Sequence, residues 1–226
     1  MIPIYKPYFT KESLKYAHDA IDSTWISSHG KYLNLAEEKL KEITGSKYII
    51  LTNNGTTATH LVACGLRYKY PDITTLIVPT NVYIAAWNMF RVNPLYNLSP
   101  IDANLDTWNF DWDNEFFINQ ANNFAGTTAI LAVHNIGNII NVPEMQKKVN
   151  NIIIEDNCEG FLGKYAGKPT GTASLCYSVS FFGNKTVTSG EGGAFCTDNE
   201  DIYNEMNRVR AHGITSEKFV FSGLGY

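Results

Sequence analysis

Four short apolar runs constrain this chain more than any other feature. They are YIILT (48–52), TLIVP (75–79), AILAVH (129–134) and NIIIED (151–156). NIIIED and the AILAV portion of the third run are apolar almost without interruption, as strands buried on both faces are. Stretches with helical spacing lie between them. Thr10 is placed to cap a helix reaching about Ser23, with Leu14, Ala17 and Ile21 on one face, and a second helix over 35–43 stops at Gly45. Further helices are expected over 56–66, 82–90, 142–149 and 200–210, and further strands at CYSVSFF (176–182) and GAFCT (193–197). Strands alternating with helices predict an α/β fold: a mixed, mostly parallel sheet flanked by helices.

The chain has 226 residues, enough for one large α/β domain; 44% are hydrophobic and 18% charged, a globular composition. A net charge of −4 without basic clusters argues against nucleic-acid and anionic-membrane partners. The four cysteines (Cys64, Cys158, Cys176, Cys196) are scattered, with no CxxC and no His/Cys ligand set, so no metal site is expected. The N-terminus has early prolines and charges instead of an apolar signal core, and no run is long enough to span a membrane, which predicts a cytoplasmic protein. Asparagine is frequent throughout and suggests no chemistry by itself.

Open α/β sheets bind ligands beyond the carboxyl ends of their strands. Asn53-Asn54-Gly55-Thr56-Thr57 follows the first run, Asn81-Val82-Tyr83 the second, His134-Asn135 the third, and Asn157-Cys158-Glu159 the fourth. NGTTATH opens a helix with small hydroxyl residues, which suits either an anion cradle or an ordinary cap. Asp156 ends an apolar strand and needs a cation, a strong donor or a structural bond. His134 and Asn135 suit a substrate-facing or a structural role, and His60 and His212 a structural one.

Lys185 stands out in SFFGNKTVTSGEGG (180–193), just past an apolar strand, with no carboxylate beside it until Glu191. It is a salt-bridged structural residue, a phosphate binder or a nucleophile. GNKT is not the end of a phosphate-binding P-loop, because Asn184 and Val179 occupy positions where that motif requires glycine. The GEGG turn is explained by backbone geometry as readily as by a site role for Glu191. An anion cradle, an aspartate and a lysine at neighbouring strand ends match the needs of pyridoxal phosphate (PLP): a phosphate cup, an imine-forming lysine and a carboxylate facing the pyridine nitrogen.

These segments resemble the DegT/DnrJ/StrS family of PLP-dependent aminotransferases acting on nucleotide-linked keto sugars. The likeness runs through STWISSHGKYLNLAEEKL (23–40), NNGTTATHL (53–61), VPTNVYIAAWN (78–88), IDANLDTWNFD (101–111), VHNIGN (133–138), IEDNCEGFLGKYAGKPTGT (154–172), SVSFFGNKTVTSGEGGAF (178–195) and RVRAHGI (208–214). It implies an aspartate-aminotransferase-like (fold type I) large domain over 1–226. Lys185 is implied as the imine-forming lysine and Asp156 as the partner of the pyridine nitrogen. Thr56, Thr57 and Ser180 are implied as phosphate binders, and Tyr83 as the ring that stacks on the cofactor. Glu159 stands near the cofactor's 3′-oxygen, where glutamine is common.

The same resemblance implies a homodimer that takes an amino group from an amino acid, usually glutamate. The acceptor is a keto-deoxy sugar nucleotide, aminated at C-4 to a 4-amino-4,6-dideoxyhexose of the viosamine or perosamine type. A sister branch with histidine in place of the lysine deoxygenates C-3 instead. The chain ends at FSGLGY, where the family continues into a small C-terminal domain, so that domain is expected to be absent. A non-catalytic PLP-binding remnant and another PLP-dependent reaction are the alternatives.

Overall fold

The computed structural model describes residues 1–92 and 95–214; the closing FSGLGY segment lies outside them. Two helices come first, α1 (Lys11–Asp22) and α2 (Lys31–Thr44). Then follow β1 (Tyr48–Thr52), α3 (Gly55–Lys69), β2 (Thr75–Pro79), α4 (Ala85–Asn88), β3 (Asn97–Ile101), α5 (Glu115–Asn123), β4 (Thr128–Val133), α6 (Val142–Lys148) and β5 (Ile152–Asp156). A small hairpin, β6 (Lys164–Tyr165) and β7 (Lys168–Pro169), precedes β8 (Cys176–Ser180), β9 (Gly193–Thr197) and α7 (Glu200–Arg210).

One sheet has the strand order β1-β9-β8-β5-β4-β2-β3. Strands β3, β2, β4, β5 and β8 run parallel, while β9 is antiparallel to both of its neighbours. The expected mixed, mostly parallel sheet is present. Helices cover both faces. On one, Leu61 and Leu66 of α3, Phe90, and Ile202 and Met206 of α7 pack with Leu131, Ile154 and Phe195. On the other, Phe117 and Ala121 of α5 and Met145 of α6 pack with Ile130, Ala132 and Ile153. Each of the Leu, Ile, Phe and Met side chains among them, fully buried, contributes about 2 kcal/mol. Along β5 the strand alternation sends Ile153 and Ile154 to opposite faces, and Glu155 and Asp156 after them.

Four asparagines act as helix caps. Asn54, Asn114, Asn141 and Asn199 each accept a main-chain N–H at the start of α3, α5, α6 and α7. That local role is invisible in composition. Several elements differ from expectation. The helix expected over 82–90 is only α4 followed by a 3-10 turn, Met89–Arg91, and leaves Tyr83 in the preceding turn. Strand β3 is not expected from the sequence because Pro100 interrupts its pattern; it is an edge strand, where proline is tolerated. The α5 helix and the β6–β7 hairpin are likewise additions to the expected set. Helix α1 forms with its Thr10 cap, but Leu14, Ala17 and Ile21 are exposed and no α1 residue is buried. No helix among the described residues is long and apolar enough to cross a membrane.

Candidate active site

The carboxyl ends of β1, β5 and β8 open into one cavity of about 400 Å³. Its lining includes Thr56, Tyr83, Asp156, Glu159, Ser180 and Lys185. Six of the seven residues singled out in the sequence are therefore brought together. Thr57 is not among the lining residues: its amide (2.8 Å) and its hydroxyl (3.1 Å) both donate to Asn54 Oδ1, the α3 cap.

The floor is the first turn of α3, whose leading N–H groups have no partners within the helix. Gly55 starts that turn against β8, where a Cβ would fall 2.7 Å from Ser180 Cβ and 3.2 Å from Cys158 Sγ. Only glycine lets the helix terminus come this close to the strand end. Gly193 plays the matching part from β9: a Cβ there would meet the Asn54 carbonyl oxygen at 2.5 Å. The last glycine of GEGG is thus explained by close backbone approach, and Glu191 of the same turn does line the cavity.

Asp156 is buried, and its Oδ1 accepts the Cys158 N–H at 3.0 Å. Burial pushes its carboxyl above the ordinary range, while the Cys158 hydrogen bonds and the Lys185 charge pull it back. A carboxylate in that position favours a positively charged ligand group. Behind it, Thr59 Oγ1 donates to Ser178 Oγ at 3.0 Å, and the Cys158 thiol approaches the same oxygen at 3.9 Å. Burial, then Asp156, pushes that thiol well above its usual range, so it is a poor nucleophile. Cys158 and Thr59 line the cavity, and sequence reasoning misses both. The only signal is position: one is two residues beyond a strand-end aspartate, the other one turn into the helix.

Lys185 rides on a loop closed at its neck by Phe181 N–H to the Gly192 carbonyl (2.8 Å) and Ser189 N–H to the Phe181 carbonyl (3.1 Å). The Lys185 N–H donates to the Phe182 carbonyl, tightening the turn. Its ammonium lies 3.4 Å from Glu159 Oε1 and its side chain is mostly buried. Tyr83 stands at the mouth, largely exposed. His134 belongs elsewhere. Its Nδ1 accepts the Ile140 N–H (3.1 Å), which leaves Nε2–H to donate to Glu155 Oε2 (2.8 Å), and both side chains are buried. Asn135 ties the Asn81 and Trp108 carbonyls together through Nδ2. Both are structural.

Residues 7–226 match the profile of the DegT/DnrJ/EryC1/StrS aminotransferase family. The chain belongs to this family. A GDP-perosamine synthase of Escherichia coli O157:H7 is 35% identical over 220 residues, which is 94% of this chain and 57% of that family member. A solved structure of GDP-4-keto-6-deoxymannose-3-dehydratase with a trapped PLP–glutamate geminal diamine aligns at a TM-score of 0.87 with 27% identity, over 99% of this chain and 63% of that one. Helicobacter pylori PseC, an aminotransferase involved in the biosynthesis of pseudoaminic acid, aligns at 0.84 with 26% identity, over 97% of this chain and 59% of its own. The chain thus spans a little under two thirds of the length of these proteins, and the expected α/β fold is theirs.

Proposed function

We propose that this chain binds PLP through Lys185 and serves a homodimeric sugar-nucleotide aminotransferase. It would move the amino group of glutamate to C-4 of a nucleotide-linked keto-deoxy sugar, giving a 4-amino-4,6-dideoxyhexose. The observation that carries this reading is the cavity itself. One lysine, one buried carboxylate and one anion cradle face the same space of about 400 Å³. The residues fit the cofactor. Gly55 removes the Cβ that would fill the cradle, Thr56 and Ser180 line it with hydroxyls, and Thr57 fixes its cap. The likeness to a GDP-perosamine synthase supports a perosamine-type product, and the glutamate adduct in the dehydratase structure supports glutamate as donor.

When bound, PLP supplies an electron sink for negative charge at the donor's α-carbon. Asp156 would face the cofactor's ring nitrogen and favour its protonated form. Lys185 would hold the cofactor through its side-chain amine and, when that amine is free, would serve as the base that moves the donor's α-proton. Tyr83 would cover the cofactor from the mouth, and the first turn of α3 would hold its phosphate.

The dehydratase likeness favours one competing reading, C-3 deoxygenation. Lys185, in the place where that branch carries histidine, supports transfer instead. The test is to add PLP to the 226-residue chain, record the visible spectrum, reduce with borohydride and map the modified peptide. A yellow band bleached by glutamate, with the adduct on Lys185 and neither in Lys185→Ala, is the expected result. An adduct on another lysine, or amino transfer surviving in Lys185→Ala, would sink the assignment.

A further inference from the structure

Helix α1 is the least covered helix of the described chain. It has 12 residues and buries none of them. A helix of that length is marginal alone in water, and helices in proteins are held chiefly by packing of their apolar side. What ties α1 to the body is one edge. The Tyr32 hydroxyl of α2 donates to Asp19 Oδ2 at 2.5 Å, Lys31 pairs with the same oxygen at 2.5 Å, and the Tyr16 and Tyr32 rings lie 5.7 Å apart.

The apolar stripe points the other way. At about 100° per residue, Leu14, Ala17 and Ile21 fall within about 60° of one another, on the side of the helix opposite Tyr16 and Asp19. Leu14 is 51% exposed and Ile21 65%. Tyr8 and Phe9 before the helix, and Trp25 and Ile26 after it, are exposed as well. At about 100 Å² for each of these six side chains, the surface offered is about 600 Å² per protomer. Doubled, that reaches about 1,200 Å², the lower end of what specific interfaces bury.

The charges name the partner. Lys11 and Asp22 stand at opposite ends of α1, eleven residues or about three turns apart, and therefore on the same edge of the stripe. Neither has an ion-pair partner among the described residues. A second α1 laid antiparallel along the stripe brings its Asp22 to Lys11 and its Lys11 to Asp22. It sets Leu14 near Ile21 and crosses at Ala17, whose small side chain lets the axes approach. It also opposes the two helix dipoles. A parallel partner would set Lys11 against Lys11. The stripe is self-complementary under a two-fold axis, as an isologous interface requires.

We propose that α1 is a self-association face: two copies of this chain pair through antiparallel α1 helices, about a two-fold axis at Ala17. Of the preceding reading this takes up only the homodimer; it needs neither PLP nor Lys185.

Sedimentation equilibrium of the cofactor-free chain tests it. The parent is expected to associate. Leu14→Glu and Ile21→Glu are each expected to raise the dissociation constant at least about 100-fold, because each buries two unpaired charges per pair. Both side chains are exposed in the protomer, and thermal unfolding of each variant checks that folding is kept. Lys11→Glu and Asp22→Lys each turn two attractions into repulsions and are expected to weaken association severalfold. Mixing those two single variants restores both attractions, as does combining them in one chain, and either is expected to return association to near the parent value.

A parent that stays monomeric overturns the proposal and leaves the stripe to a different polypeptide. A dimer indifferent to Leu14→Glu and Ile21→Glu overturns it too, and leaves the homodimer reading intact on another face. Loss on Leu14→Glu without rescue on mixing would mean a sticky surface and no antiparallel pair. None of these outcomes touches Lys185, whose assignment the borohydride adduct decides.

Discussion

Glu155 and Asp156 are adjacent buried carboxylates on one strand, and the sheet sends them to opposite sides. On the α5–α6 side, Glu155 Oε2 accepts from His134 Nε2–H at 2.8 Å and from the Gly171 N–H at 3.0 Å. That region binds the loops carrying His134 and Gly171 to the strand end. On the α3 side, Asp156 accepts from one amide and otherwise faces an open cavity. Burial is nearly the same in both places, so burial does not mark the site. What marks it is the shortage of internal donors beside space for an external one. Two internal donors meet Glu155 at Oε2, although its Oε1 is buried without a partner among the described residues, whereas the cost of burying Asp156 is left for a ligand to offset.

Four experiments put this contrast at risk. The largest effect is expected for Glu155→Ala, which leaves the His134 and Gly171 donors buried without an acceptor. It should cost about 3 kcal/mol in urea unfolding, at roughly 1–3 kcal/mol for each orphaned group. A similar loss in Asp156→Ala, measured without PLP, would erase the distinction. Next is Gly55→Ala, whose Cβ would sit 2.7 Å from Ser180 Cβ. Overpacking there should cost about 2 kcal/mol and weaken PLP binding together with stability, as titration of the visible band would reveal.

Asp156→Asn should move the other way. Burial raises the folded-state carboxyl above its unfolded range, so the native state binds the proton more tightly. This stabilisation is fully present below the unfolded range and is lost as pH rises through the folded value. The cofactor-free variant should therefore match the parent at acid pH and unfold at higher urea at neutral pH, while losing PLP affinity. Equal midpoints at both pH values would show that Asp156 is not strained by burial. The smallest effect concerns the thiols. Burial pushes Cys64 up to about 11, and Cys158 also lies well above its usual range. At a pH of about 8 neither should react with a disulfide reagent until the chain is unfolded. Rapid native labelling of Cys158 would mean that the cavity wall behind Asp156 is open.

Much of the fold is legible in the sequence because its strands are short, apolar and separated by recognisable helix signals. YIILT, TLIVP and the CYSVS portion of CYSVSFF form strands within those segments, and the Thr10 and Gly45 boundaries are where local chemistry puts them. Strand β3 is not legible, since an edge strand needs no continuous apolar pattern and Pro100 breaks what there is. The α1 face misleads in the other direction. Its helical period is real, but a period states only which residues share a side and not whether anything covers them. Thr57 looks equivalent to Thr56 in sequence, yet Asn54 engages its hydroxyl.

Period, propensity and motif act over a few residues, so they suffice for the alternation of elements, for the sheet-end positions of Lys185, Asp156 and Ser180, and for the family. They do not reach the features that join distant segments. Strand β9 turns antiparallel and brings Gly193 against the Asn54 carbonyl. Glu155 and Asp156 face different regions, and a left-handed Ile136 pins Glu159 beside Lys185. Each of those depends on a partner far away in the chain. Their physical content is the pairing of a particular donor with a particular acceptor, and that is settled only when the strands are laid side by side.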